Sequence, residues 1–188
     1  VYMGAGLTVG DFDDDDLPDV YLVSQDGGNK LFRQTAPLQF EDVTSSAGAG
    51  LDGGDAWGTA ATFADVDGDG DLDLYVCNLE SPNLLFVNQG DGTFVEKAGM
   101  FGLGATYAST GAAFADYDND GDLDLYLLTN RVLRPTLARE IVAETTPPAA
   151  IQKSKEELLA HELTFELGGR TFMAGQQDRR FRNDGYAD

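Results

Sequence analysis

The chain has 188 residues, with 33 acids against 12 bases, one histidine and one cysteine. That length makes one domain, its 42% hydrophobic content supports a core, and its net charge of −21 repels phosphate backbones and anionic lipid, so nucleic acid and membrane surfaces are poor partners. No run reaches the ~18 apolar residues of a membrane span, the lone Cys77 closes no internal disulfide, and the lone His161 excludes multi-histidine zinc or iron sites. The charge is unevenly placed. Residues 1–130 carry 24 acids and 3 bases, whereas residues 131–188 carry 9 of each. Sixteen aspartates crowd into 11–19, 65–73 and 116–124, and such clusters need bulk solvent or a cation.

In chain order, three units repeat. The first, about 1–52, holds GDFDDDDLPDVYLV (10–23), NKLFRQ (29–34) and EDVTSSAGAG (41–50). The second, about 53–102, holds WGTAATFADVD (57–67), ADVDGDGDLDLYVC (64–77) and NLLFVNQGDGTF (83–94), with VEKAGMFGLG (95–104) at its end. Its turn residues predict four strands, at about 58–64, 72–77, 83–88 and 93–97. Leu72, Leu74 and Val76 alternate with Asp73 and Tyr75, the period of a strand with one packed face. Trp57 and Phe63 fit packing between units, and Cys77 reads as a small core residue. The third unit, about 103–188, repeats STGAAFADYD (109–118), ADYDNDGDLDLYLL (115–128) and DRRFRNDG (178–185), whose Arg179, Arg180 and Arg182 fall on a predicted strand. Four-stranded units of about 50 residues predict an all-β fold, a partial β-propeller of about three blades.

Residues 131–175 interrupt the third unit. Ser154 to Glu157 form a capping box ahead of Leu158, Leu159 and Leu163, with Gly168-Gly169 as a stop, so the insertion is expected to be helical. An amphipathic stripe must be covered, and Leu158, Leu159, Leu163, Phe165 and Phe172 are the candidates for contact with a protein partner or with the propeller itself. His161 reads as a surface residue of that helix.

The aspartates follow Asp-x-Asp-x-Asp-Gly-x-x-Asp. In the second unit these are Asp65, Asp67, Asp69, Gly70 and Asp73; in the third, Asp116, Asp118, Asp120, Gly121 and Asp124. Alternate positions of a tight loop turn toward one centre, and the carbonyl of position 7, Asp71 or Asp122, adds an oxygen. Five or six hard, adaptable oxygens suit Ca²⁺ better than the stricter Mg²⁺ octahedron. The first loop places Asp11, Asp13, Asp15 and Asp19 at the same positions, but departs with Asp16 at position 6 and Leu17 at position 7. Aspartate tolerates the left-handed region, so a site is expected there too. An EF-hand would need Glu at position 12, which falls on Leu22, Val76 and Leu127, and would need flanking helices instead of strands.

FADVDGDGDLDLYVCN with NLLFVNQGDGTF resembles the FG-GAP/VCBS-type repeats, notably the ASPIC-associated bacterial kind, and is similar to the calcium-binding blades of integrin alpha-subunit propellers. The resemblance spans 1–130 and 176–188. It implies a propeller, usually seven-bladed, on secreted, periplasmic or cell-surface proteins, with about three Ca²⁺ in its hairpin loops. It also implies an interaction or structural role more than catalysis, or a place as a subunit of a larger assembly. The alternative is a non-catalytic propeller part of a secreted hydrolase or lyase. Three units do not close a ring, so further blades or partners are expected to cover them.

Overall fold

A computed structural model describes residues 6–25, 28–117, 119–129, 164–167, 170–173 and 179–181, and these are nearly all β. The first blade is a four-stranded antiparallel meander of β1 (Leu7–Gly10), β2 (Asp19–Leu22), β3 (Lys30–Ala36) and β4 (Gln39–Asp42). A single helical turn, α1 (Thr44–Ala47), follows it; Asp42 Oδ1 accepts both the Thr44 amide and its hydroxyl. The second blade repeats the meander as β5 (Trp57–Ala64), β6 (Asp73–Pro82), β7 (Leu84–Asn88) and β8 (Phe94–Glu96). Three of the four match the predicted spans, whereas β6 runs five residues past its predicted end at 77. The third begins with β9 (Thr106–Ala115) and β10 (Asp124–Thr129).

The interrupted third blade resumes as the repeat requires. β13 (Arg179–Phe181) pairs antiparallel with β10, Leu125 opposite Phe181, so Arg179 and Arg180 fall on a strand, while Arg182 lies outside the described residues. Of the insertion, β11 (Thr164–Leu167) and β12 (Arg170–Met173) form an antiparallel pair whose register sets Phe165 opposite Phe172. The helical reading therefore fails over 164–167. Gly-Gly between short runs containing Thr and Phe is a hairpin signal as well as a helix stop, and here the pairing wins. Leu158, Leu159, His161 and Leu163 lie outside the described residues. A short bridge, Leu79 opposite Ala108 and Pro82 opposite Thr106, joins the second blade to the third through the long tail of β6.

Two apolar layers lie between the three blades. Phe12, Tyr21, Val23, Leu31 and Leu51 of the first blade meet Leu74, Val76, Phe86 and Phe94 of the second. Tyr75, Cys77, Leu85 and Val87 then meet Leu125 and Leu127 of the third. β6 consequently buries both faces, not one: Leu74 and Val76 look backward, Tyr75 and Cys77 forward, and all four are under 2% exposed. The expectation of a single packed face fails because the middle blade is sandwiched. Phe63 packs on the first layer as expected, whereas Trp57, at the outset of β5, is 40% exposed.

Each layer also contains the same polar clamp. Tyr21 donates its hydroxyl to the Leu51 carbonyl (2.6 Å) and receives Asn29 Nδ2 (3.0 Å). Tyr75 donates to the Leu103 carbonyl (3.0 Å) and receives Asn83 Nδ2 (2.9 Å). Asn29 and Asn83 further accept the Ser24 and Asn78 amides, so each ties three segments together without leaving its buried amide unpaired.

Candidate metal centres

The three aspartate loops occupy one position in the fold, the connection from the first to the second strand of each blade. Their local chemistry is shared. The position-1 carboxylate folds back onto its own loop: Asp11 accepts the amides of Asp15 (3.1 Å) and Asp16 (2.8 Å), Asp65 those of Gly68, Asp69 and Gly70, and Asp116 those of Asp120 and Gly121. Position 5 accepts the amide of position 7, Asp15 from Leu17, Asp69 from Asp71 and Asp120 from Asp122. Position 9 lies at the foot of the second strand, where Asp19 receives the amides of Phe12 and Gln34, and Asp73 those of Val66 and Asn88. Asp124 receives the Tyr117 amide.

Chain reversal in these loops needs two left-handed residues, not one. Gly70 (φ 98°) and Gly121 (φ 101°) supply position 6, and Asp16 adopts φ 66° there, as its tolerance of that region allows. Position 4 is left-handed as well, with Asp14 at 59°, Gly68 at 75° and Asn119 at 60°. Asp, Gly and Asn are the residue types that enter this region most readily, and that coincidence across the three units is the signal that locates the second reversal.

The carboxylates converge in part. One oxygen from each of Asp11, Asp13 and Asp15 lies within 4.8 Å of the others, as does one from each of Asp65, Asp67 and Asp73. The gathered sets are thus positions 1, 3 and 5 in the first loop, and 1, 3 and 9 in the second. In the third loop Asp118 lies outside the described residues, so Asp116, Asp120, Asp122 and Asp124 are placed by their turn bonds alone.

Bringing these groups together is electrostatically costly. Burial chiefly, then Asp15, pushes the Asp13 carboxyl above its usual range despite Arg33, whose Nη1 lies 3.9 Å away. Burial, then Asp69 and Asp65, does the same to Asp67. Burial also raises Asp19, and pushes Asp73 up to about 6 against the amides of Val66 and Asn88. Asp13 Oδ1 is buried with no hydrogen-bond partner. An orphaned carboxylate oxygen among mutually repelling acids is a group that a cation satisfies. Hard oxygen donors without thiolate or imidazole match Ca²⁺ or Mg²⁺ and not the softer transition metals.

A family model for the FG-GAP-like repeat matches residues 11–76 and again 65–127. The chain is also similar to cartilage acidic protein 1 of Xenopus tropicalis, 43% identical over 54 residues, which are 28% of this chain and 8% of that protein. The human protein of that name is 33% identical over 89 residues, 47% of this chain and 13% of its own length. The mouse protein is 41% identical over 54 residues, 8% of its length. The aligned part of the chain thus spans only a small share of the curated relatives it matches.

Proposed function

The chain belongs to the FG-GAP-like repeat family, and from that premise we propose that it is a calcium-binding β-propeller module of an exported protein, serving interaction or structure and not catalysis. The observation that carries the proposal is the repeated convergence of three carboxylates in equivalent loops, with the orphaned Asp13 oxygen inside one set. Asp11, Asp13 and Asp15 hold the ion of the first loop, with the Leu17 carbonyl and Asp19 within its span. Asp65, Asp67 and Asp73 hold that of the second, with Asp69 and the Asp71 carbonyl beside them. The third loop takes a third ion through Asp116, Asp118, Asp120, Asp124 and the Asp122 carbonyl. The bound cation cancels the repulsion within each loop and fixes the end of its blade, leaving an ordered rim for a protein partner. Extracellular modules bind Ca²⁺ at roughly 10⁻⁴–10⁻³ M, an affinity that suits an exported protein bathed in the ion.

No helix among the described residues is long and apolar enough to cross a membrane. That fits docking onto a protein partner, a larger assembly or the remainder of its own chain. Isothermal titration of the chelated chain with Ca²⁺ and then Mg²⁺ tests the reading. Near-stoichiometric Ca²⁺ uptake with weak Mg²⁺ displacement is expected, and no uptake at millimolar Ca²⁺ would refute it.

A further inference from the structure

The turn between β7 and β8 stands between the first and second aspartate loops. A Cβ added at Gly92 would lie 3.8 Å from Asp13 Cβ, and one at Gly90 would lie 2.9 Å from Asp71 Oδ2. Asn88, the last residue of β7, is 2% exposed and bonded to both loops. Its backbone N–H donates to Asp73 Oδ1 (2.8 Å). Its side-chain amide donates to the Phe12 carbonyl (2.8 Å) and the Leu72 carbonyl (3.2 Å), while its Oδ1 accepts the Gly90 amide (3.1 Å). Those two carbonyls belong to the peptides that lead directly into Asp13 and Asp73, one ligand candidate from each loop. The Phe12 N–H in turn donates to Asp19 Oδ2 (3.0 Å). An unbroken path of bonds therefore runs from the position-9 carboxylate of one blade to that of the next.

In the preceding blade Gln34 occupies the same place in the repeat and also gives its backbone N–H to a position-9 carboxylate, Asp19 Oδ1 (2.8 Å). Its side chain, however, accepts the Leu38 amide (3.0 Å) within its own hairpin. A planar amide with two fixed donors satisfies both carbonyls only while the two loops keep one spacing. A cation that orders either loop then meets part of the ordering cost of the other, which is positive cooperativity.

We infer that Asn88 is a positioning residue that couples the first and second loops, so that a divalent cation in one raises the affinity of the other. This rests on the reading of the loops as cation sites. The test is a Ca²⁺ titration of the full chain, followed at the backbone amide resonances of Asp16 and Gly70, one reporter per loop. Asp67→Asn disables the second loop and is expected to weaken the first about fivefold or more. By reciprocity Asp11→Asn is expected to weaken the second by the same factor. In an Asn88→Ala background each loop is expected to fill independently, and Asp67→Asn to leave the first unmoved. Because Asn88→Ala strips the Phe12 and Leu72 carbonyls of a donor, the Asp67→Asn arm decides alone should that variant not fold. An unchanged first-loop affinity in Asp67→Asn overturns the coupling, whereas no response of either amide at millimolar Ca²⁺ overturns the cation reading itself.

Discussion

Calcium is expected to reverse the sign of the pH dependence of stability. In the chelated protein Asp73 is buried and its carboxyl is raised from 3.8 to about 6. The folded state then binds more protons than the unfolded state between about pH 4 and about pH 6, so stability falls as pH rises through that window. A displacement of about two units corresponds to roughly 3 kcal/mol. Asp13, Asp19 and Asp67 are displaced in the same direction and add to the slope. Asp42, lowered to about 2 by its Thr44 and Lys30 hydrogen bonds, loses its contribution only as pH falls below 3.8 toward 2, outside the window. For a chain of this size ~3 kcal/mol moves the melting temperature by about 6–12 °C. With Ca²⁺ at a hundredfold excess over Kd, each filled loop contributes ~2.7 kcal/mol, and protons now compete with the ion. Thermal melts by circular dichroism at about pH 4 and about pH 7, in chelator and in Ca²⁺, give the four values needed. Higher melting at the acid end in chelator, and at the neutral end in Ca²⁺, is expected. Parallel slopes in the two conditions would refute the reasoning.

Tyr75→Phe is expected to cost about 1–3 kcal/mol by denaturant unfolding, because it strips the buried Leu103 carbonyl and an Asn83 N–H of their partner. Gly58→Ala drives a Cβ into Val23 Cγ1 and places it 3.0 Å from the Ser24 carbonyl oxygen, so about 1–3 kcal/mol of overpacking is expected between the first two blades. Asp67→Ala is expected to lose Ca²⁺ from the second loop, whereas Asp14→Gly, which preserves φ 59°, is expected to leave the first loop competent; Asp14→Ala is the poorer control because its left-handed backbone adds ~1–2 kcal/mol. The Cys77 thiol, fully buried and pushed up to about 12 by burial, is expected to resist alkylation until the chain unfolds, which makes its labelling rate a probe of opening.

The repeats made the blades legible, and they did so because each strand sits beside its sequence neighbour in a meander. They did not reveal which faces were buried. The triplets Val20-Tyr21-Leu22, Leu74-Tyr75-Val76 and Leu125-Tyr126-Leu127 read alike. Yet Tyr75 is buried while Tyr126 is 49% exposed, and Val76 is buried while Leu22 is 39% exposed. What differs is the neighbouring blade, a fact of the assembly and not of the local pattern. The aspartate loops were legible for the opposite reason, since their carboxylates, reversals and turn bonds lie within nine consecutive residues. Asn88 belongs to neither case. Its backbone bond to Asp73 is repeated by Gln34 and Asp19, and so belongs to the blade; its side-chain bond to Phe12 spans 76 residues and exists only because two blades meet. Of the polar residues that recur at a fixed place in the first two units, Asn29 and Asn83 in the Tyr clamps and Gln34 and Asn88 behind the loops, Asn83 and Asn88 also bond by their side chains into a neighbouring blade, at Ser109 and Phe12. A repeat protein specifies its apolar layers redundantly, so the coupling proposed between neighbouring loops rests on the side-chain amide of Asn88.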